Sequence, residues 1–332
     1  MGAPNDVNRE IIFKVLKRFP TTPTLTLAKK IFNDNPLCFE TLEQARGAIR
    51  YYRGEKGDLL RKDLKDKSNM NKKQPIPKMP QSASVPKEIY HVPKANNNIL
   101  VISDLHIPYH DNAAIECALD YGLEKGVNTI IINGDLLDFH QLSRFMKDPR
   151  KRSVKEEFDA CRAMLEYIRH WFPTQKIIWI AGNHDKRYEH WLMTKAPEIF
   201  DDSYYSMPER LRLNDLKIDY LDDNILIRAG KLFITHGHLV LSGIFSPVNT
   251  ARGVYMKAKQ SVLVGHTHQV SQHMEKNLSQ ELTCCWSIGC LCELQPDYMP
   301  FNKHVHGFAH VTIHKDSNFT VQNYTILDGK IL

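Results

Sequence analysis

The sequence predicts an α/β protein: a mostly parallel sheet with helices, a second layer of antiparallel strands, and a small all-helical domain ahead of both. Three observations carry this. From Ile99 onward, short apolar runs alternate with amphipathic helical patterns, the order that gives right-handed crossovers and parallel strands. Beyond Gln269 polarity alternates residue by residue, as in half-buried antiparallel strands. Residues 1–67 show only helical periodicity, and a proline-rich stretch over 68–97 separates them from the rest. Of the 332 residues, 42% are hydrophobic and 25% charged, enough to bury a large core and too apolar for wholesale disorder.

In the N-terminal part, Ile11, Ile12, Val15, Leu16 and Phe19 recur at three- and four-residue spacing until Pro20 stops the run. A second helix fits Leu25 to Phe32, with Leu25, Ala28, Ile31 and Phe32 inward. Thr41 and Gln44 form a capping-box pattern for a third, whose buried stripe is Leu42, Ala45, Ile49 and Tyr52. Arg46, Arg50 and Arg53 fall together on another face and are expected to project toward solvent. Residues 1–95 hold 19 Lys+Arg against 10 Asp+Glu, a net of +9, while residues 96–332 hold 25 against 28. The basic excess points to a polyanion partner. In outline the unit resembles a helix-turn-helix module, which implies DNA contact by the three arginines. A solvated face or a protein-binding unit is the competing reading. Five prolines lie in 68–98, a composition expected of an extended linker.

After the linker the expected order is a strand over 99–103, a helix over 111–125 ended by Gly126, and a strand over 127–133. A helix opened by the Ser153–Glu156 capping box runs to about Trp171, and a strand comes next over 176–181. Two more strands fit 231–235 and 261–264, with helical sequence over 248–259 between them. Residues 189–230 carry no readable pattern.

The residues just past each strand carry the chemistry. The five strand ends deliver Asp104-Leu105-His106, Gly134-Asp135-Leu136-Leu137-Asp138, Gly182-Asn183-His184-Asp185, His236-Gly237-His238 and Gly265-His266-Thr267-His268. Any one alone reads as turn chemistry. Five in succession, each at the carboxyl end of a strand, place carboxylates, an amide and imidazoles on one rim, where sites form in α/β folds.

This ordered set resembles the calcineurin-like metallophosphoesterase superfamily, over about Ile99 to His268 by motif and none of residues 1–95. The resemblance implies two stacked mixed β-sheets flanked by helices, with a two-metal centre between them. One metal would be held by Asp104, His106, Asp135 and His268, and the other by Asp135, Asn183, His236 and His266, with Asp135 bridging. Such oxygen and imidazole donors suit Mn²⁺ first, with Fe, Zn²⁺ or Ni²⁺ as alternatives, and the donor set lacks a thiolate. A metal-bridging hydroxide would be the nucleophile. His184 would face the substrate, with Asp185 orienting its imidazole. Asp138 is expected to hydrogen-bond a ligand or loop, and His238 is not counted as a ligand.

Asp138 is followed by Phe139 and His140, where the protein phosphatase branch has Arg-Gly, and Asp185 stands where that branch has Glu. The Gly-His-x-His ending looks instead like the phosphodiesterase and nuclease branches. With the basic N-terminal module, this favours a phosphodiesterase acting on nucleic acid, DNA in the first instance. The alternatives are a small-molecule phosphodiesterase or phosphatase whose N-terminal module contacts protein, and a binding scaffold without turnover, against which the full ligand set argues. Cys284, Cys285, Cys290 and Cys292 read as buried strand residues rather than a zinc site. Four basic residues within Lys147–Arg152 could rim the site. Seven cysteines, an N-terminus without a secretory stretch and no long apolar run lead us to expect a reduced, cytoplasmic protein without a membrane span.

Overall fold

The structure is a computed structural model and describes residues 6–54, 77–143, 153–243, 248–296 and 301–332. The chain divides into two compact units, 1–84 and 85–332. The basic loop at Lys147–Arg152 lies outside the described residues, as do residues 68–76 of the expected linker.

In the first unit, α1 (Asp6–Arg18), α2 (Thr24–Asp34) and α3 (Leu42–Arg53) pack around Ile12, Leu16, Leu27, Ile31, Ile49 and Tyr52. Leu25, expected inward, is exposed, and Leu27 takes its place in the core. Thr41 caps α3 through the Gln44 amide, but the Gln44 carboxamide accepts from Glu40 N rather than closing the box on Thr41. The arginine face also differs from expectation. The Arg53 guanidinium turns back to Thr24 Oγ1 and the carbonyls of Phe19 and Pro20, tying α3 to the α1–α2 connection. Arg46 pairs with Glu43 at 3.0 Å. Of the three, Arg50 alone is exposed, the other two being half-buried.

The second unit is two sheets face to face. In the first, β2 (Asn98–Ile102), β3 (Thr129–Asn133), β4 (Lys176–Ile180) and β5 (Ile218–Leu221) run parallel. Next to β2, the strands β11 (His306–Ile313), β12 (Phe319–Leu327) and β13 (Lys330–Ile331) extend it antiparallel. The second sheet has the order β1-β6-β7-β8-β10-β9. Its strands are β1 (Ile89–His91), β6 (Leu226–Ala229), β7 (Leu232–Thr235), β8 (Val262–Val264), β9 (Ser271–Lys276) and β10 (Leu282–Ser287).

Side-chain alternation along the central strands buries both faces. Ile99, Val101, Ile131, Ile178 and Ile180 meet Ile227, Ile234, Leu263 and Trp286 of the second sheet. Leu100, Ile102, Ile130, Ile132 and Trp179 point the other way, against α4 (Asn112–Glu124) and α5 (Val154–Trp171). On the outer face of the second sheet, the helix Thr250–Ala258 contributes Ala251 and Val254 against Val262 and Val264. Strands buried on both faces read as continuous apolar runs, which is why β2, β3 and β4 were plain in the sequence.

Two assignments change. The strands over 231–235 and 261–264 belong to the second sheet, and the late strands β11 and β12 extend the first sheet instead of forming the second layer. Ile89–His91, within the expected linker, pairs in parallel with β6. Among the described residues no helix is long and apolar enough to cross a membrane.

Candidate metal centre

The loops after β2 and β3 are zipped together: Asp104 N donates to Gly134 O and His106 N to Asp135 O, both at 3.0 Å. Asp104, His106, Asp135, His266 and His268 all have positive φ, between 49° and 68°. For residues with a Cβ this conformation costs on the order of 1 kcal/mol each. Of the twelve non-glycine residues with positive φ among the described residues, five are expected ligands.

The expected ligands form two groups. In the first, His268 Nε2 lies 3.2 Å from both Asp104 Oδ1 and His106 Nε2. In the second, His236 Nε2 lies 3.2 Å from both Asp135 Oδ2 and Asn183 Oδ1. His266 stands within ligand reach of Asp135 and His236. Asp135 Oδ2 is also 3.8 Å from His106 Nε2, so this carboxylate lies between the groups.

The donor chemistry fits cations. His236 Nδ1 lies 2.8 Å from the carbonyl of Asn133, which can only accept, so Nδ1 carries a proton. In the neutral ring Nε2 is then a lone pair, aimed at two further acceptors, Asp135 Oδ2 and Asn183 Oδ1. Only a proton or a metal ion reconciles three converging lone pairs. Burial pushes the His236 imidazole down, but the Asp135 carboxylate outweighs it and raises it to about 9. His106 repeats the pattern, with Nδ1 on Asp138 Oδ1 at 3.0 Å and Nε2 in the centre. His266 Nδ1 is buried without a hydrogen-bond partner.

His184 stands beside these groups. Its backbone N donates to Asp135 Oδ1 at 2.8 Å, and its ring lies edge-on to His106 at 4.4 Å. Its Nδ1 meets the Asp138 carboxylate at 3.0 Å and the Asp138 carbonyl at 3.1 Å. Asp138, and not Asp185, therefore orients the His184 imidazole, which corrects the role expected of Asp185. The Asp185 carboxylate sits at the start of α6 (Lys186–Lys195) and points back into the loops, accepting from Leu137 N and Gly182 N at 2.9 and 2.8 Å. Burial, then the Asp135 charge, lifts its carboxyl to about 7. Burial also opposes ionisation of Asp138, but hydrogen bonds from His106 and His184 hold its carboxyl well below the usual range.

Residues 98–270, just over half of the chain, match the calcineurin-like phosphoesterase family. The chain belongs to this family. It is 28% identical over 182 residues to the Gene 54 protein of Mycobacterium phage L5, covering 52% of this chain and 70% of that protein. Solved structures with a similar fold include a single mutant of Vps29 from Entamoeba histolytica, 18% identical, covering 71% of this chain and 96% of that one, with TM-score 0.38. Nuclease MPE from Pseudomonas putida is 17% identical over 68% of this chain and 86% of its own, TM-score 0.31. The phosphoesterase Yfce from E. coli is 16% identical over 68% and 98%, TM-score 0.34.

Around this phosphoesterase centre the structure adds residues that sequence reasoning missed. Arg187 Nη2 lies 3.0 Å from His184 Nε2. They stand three positions apart at a helix start, a spacing that puts side chains on one face and could have flagged the pair. Cys292 Sγ lies 3.8 Å from His268 Nδ1, so a thiol does stand at the edge of a donor set expected to lack one. The His304 ring packs on His268 at 4.3 Å from a distant loop, with no signal in the sequence. His238, not counted as a ligand, is held by Asp223 at 3.1 Å.

Gly182 explains why no larger residue fits that turn: a Cβ there would lie 2.2 Å from Asp135 Oδ1 and 2.4 Å from Asp135 N. Gly182→Ala is expected to cost roughly 1–3 kcal/mol of stability. By displacing Asp135 it should also weaken metal binding about tenfold or more. Thermal melts and metal content after reconstitution check both, and full metal occupancy with an unchanged melt would refute the close-packing argument.

Proposed function

We propose that this chain is a dinuclear-metal phosphoesterase that hydrolyses phosphodiester bonds, with nucleic acid as the favoured substrate. Asp104, His106, Asp135 and His268 would hold one divalent cation, and Asp135, Asn183, His236 and His266 the other. The observation that carries the reading is the convergence of His236 Nε2, Asp135 Oδ2 and Asn183 Oδ1, beside a second such group, with Asp135 between them. Two divalent cations, Mn²⁺ in the first instance, would neutralise charge developing on phosphorus and activate water. The chain's own residues do the rest. Asp135 fixes the spacing of the two groups and anchors the His184 backbone. His184, after taking a proton from solvent on Nε2, would offer that N–H to the phosphoryl or leaving-group oxygen. Asp138 keeps the His184 ring in register.

For nucleic acid the support is the net charge of +9 over residues 1–95. Linking a polyanion-binding unit to a phosphoesterase raises the local concentration of a polymeric substrate. A specific observation favours a second reading: Arg53 and Arg46 are engaged within their own unit, leaving fewer guanidinium groups for DNA. On that reading the substrate is a small phosphoester and the N-terminal unit contacts protein.

Cleavage of single- and double-stranded DNA, RNA and a chromogenic diester by the Mn²⁺-loaded protein separates them. The expected result is polymer cleavage that falls steeply between roughly 50 and 200 mM salt, while turnover of the small diester stays level. Turnover of the small diester with no polymer cut at any salt would remove the nucleic-acid reading.

A further inference from the structure

We propose that Arg187 is a catalytic residue that grips a non-bridging oxygen of the substrate phosphate, and that its seat on His184 is the resting position it leaves when the phosphoester binds. The inference rests on the phosphoesterase reading and assigns the centre a residue that no motif marks.

The guanidinium makes two hydrogen bonds, Nη1 to the Asp138 carbonyl at 2.8 Å and Nη2 to His184 Nε2 at 3.0 Å. The acceptors facing His184 Nδ1 are the Asp138 carbonyl and carboxylate, so Nδ1 carries the ring proton and Nε2 accepts from Arg187. The substrate-facing edge of His184 is therefore occupied by a cation. While Arg187 stays there, Nε2 cannot reach a phosphoester.

The charge balance shows what would draw it away. Arg187 is half-buried, and among the described residues no carboxylate lies within ion-pair distance of it. Its neighbour Lys186 has two, Glu189 and Asp222. Both cations sit in the first turn of α6, the helix end that favours anions and disfavours cations. A half-buried guanidinium with a neutral imidazole and a carbonyl as partners is under-compensated. Its fork matches the paired oxygens of a phosphate, and three of its five N–H donors are uncommitted. An anion at the centre, within reach of a side chain already touching His184, supplies the missing counter-charge. The same move uncovers His184 Nε2 at the moment substrate is present.

Arg187→Ala and Arg187→Lys in the full-length, Mn²⁺-loaded protein test this. The probe is inorganic phosphate, read as a competitive inhibitor of bis(p-nitrophenyl) phosphate hydrolysis and as a ligand by calorimetry. For Arg187→Ala, phosphate affinity is expected to fall about tenfold or more and KM for the diester to rise by a similar factor, with metal content unchanged. Arg187→Lys, which keeps the charge but not the fork, should fall between. Should the Ala variant lose metal, the Lys variant alone decides, on the same readout. Phosphate affinity and KM within twofold of wild type, with only kcat reduced, would overturn the proposal and make Arg187 a positioning residue for His184. If the wild type turns over no phosphoester, the functional reading fails separately, and calorimetric phosphate binding still decides whether Arg187 grips the anion.

Discussion

Asp135→Asn is expected to lower phosphoester turnover by about 10³-fold, equivalent to about 4 kcal/mol of transition-state stabilisation. The substitution is isosteric, so the loss follows from hydrogen-bond polarity and charge. Asp135 uses both oxygens: Oδ1 accepts from His184 N at 2.8 Å, and Oδ2 faces His236 Nε2 at 3.2 Å and His106 Nε2 at 3.8 Å. An asparagine must give one of these places to an NH₂ group. If the nitrogen takes the Oδ2 place, donors point at the proposed cation sites. If it takes the Oδ1 place, it meets the His184 N–H, donor against donor, and the loop carrying Asn183 and His184 shifts. Either rotamer also removes the single charge lying between the two donor groups. The variant is nevertheless expected to fold, because the Asp135 charge is one of the causes that hold Asp185 protonated up to about 7, and removing it relieves that repulsion. The measurement is kcat/KM on a chromogenic diester at saturating Mn²⁺, with metal content in parallel. Activity within tenfold of wild type would remove Asp135 from its proposed place between the metals.

Asp104, His106, Asp135, Asn183, His236, His266 and His268 stood out in the sequence because each comes just after a short apolar run, most with a glycine beside them, and the structure brings all seven into one space. The sheet to which each run belongs was hidden. Alternation and apolarity state which faces are buried, not which strand lies alongside, so Val262–Val264 reads the same in either sheet. Residues 189–230 were opaque because their elements are too short to show a period: Met207–Arg210, Ile218–Leu221 and Leu226–Ala229 have four residues each. Helical angle alone defines the arginine face of α3 in the sequence. Angle placed Arg53 beside Arg50 but could not show that a side chain in the last turn reaches back to the carbonyls of Phe19 and Pro20. The exchange of roles between Asp138 and Asp185 has a similar origin. Both lie within three residues of an expected ligand, and only the helix start at Lys186, which turns Asp185 toward Gly182 N, separates them.

That exchange gives the second large effect. Asp138→Asn is expected to lower kcat by about 10²-fold and to weaken the metal bound through His106 by about tenfold. Asp138 Oδ1 lies 3.0 Å from both His106 Nδ1 and His184 Nδ1, so one carboxylate fixes together the imidazole proposed to bind metal and the one proposed to face substrate. An asparagine that keeps its oxygen there retains two weaker, neutral hydrogen bonds. It must then place its NH₂ where Asp138 Oδ2 is, a buried atom with no hydrogen-bond partner, at a cost of roughly 1–3 kcal/mol. The flipped amide instead opposes two ring N–H groups and releases both. Asp185→Asn makes the contrast. Asp185 accepts two backbone N–H bonds and touches neither ring, so its loss should lower the melting temperature and affect kcat mainly through the loops. A cycle with His184→Ala separates the pathways. If Asp138 acts through His184, then at saturating Mn²⁺ the double variant should turn over about as slowly as His184→Ala alone. Additive losses from Asp138→Asn and His184→Ala, or a larger kcat loss from Asp185→Asn than from Asp138→Asn, would return the orienting role to Asp185.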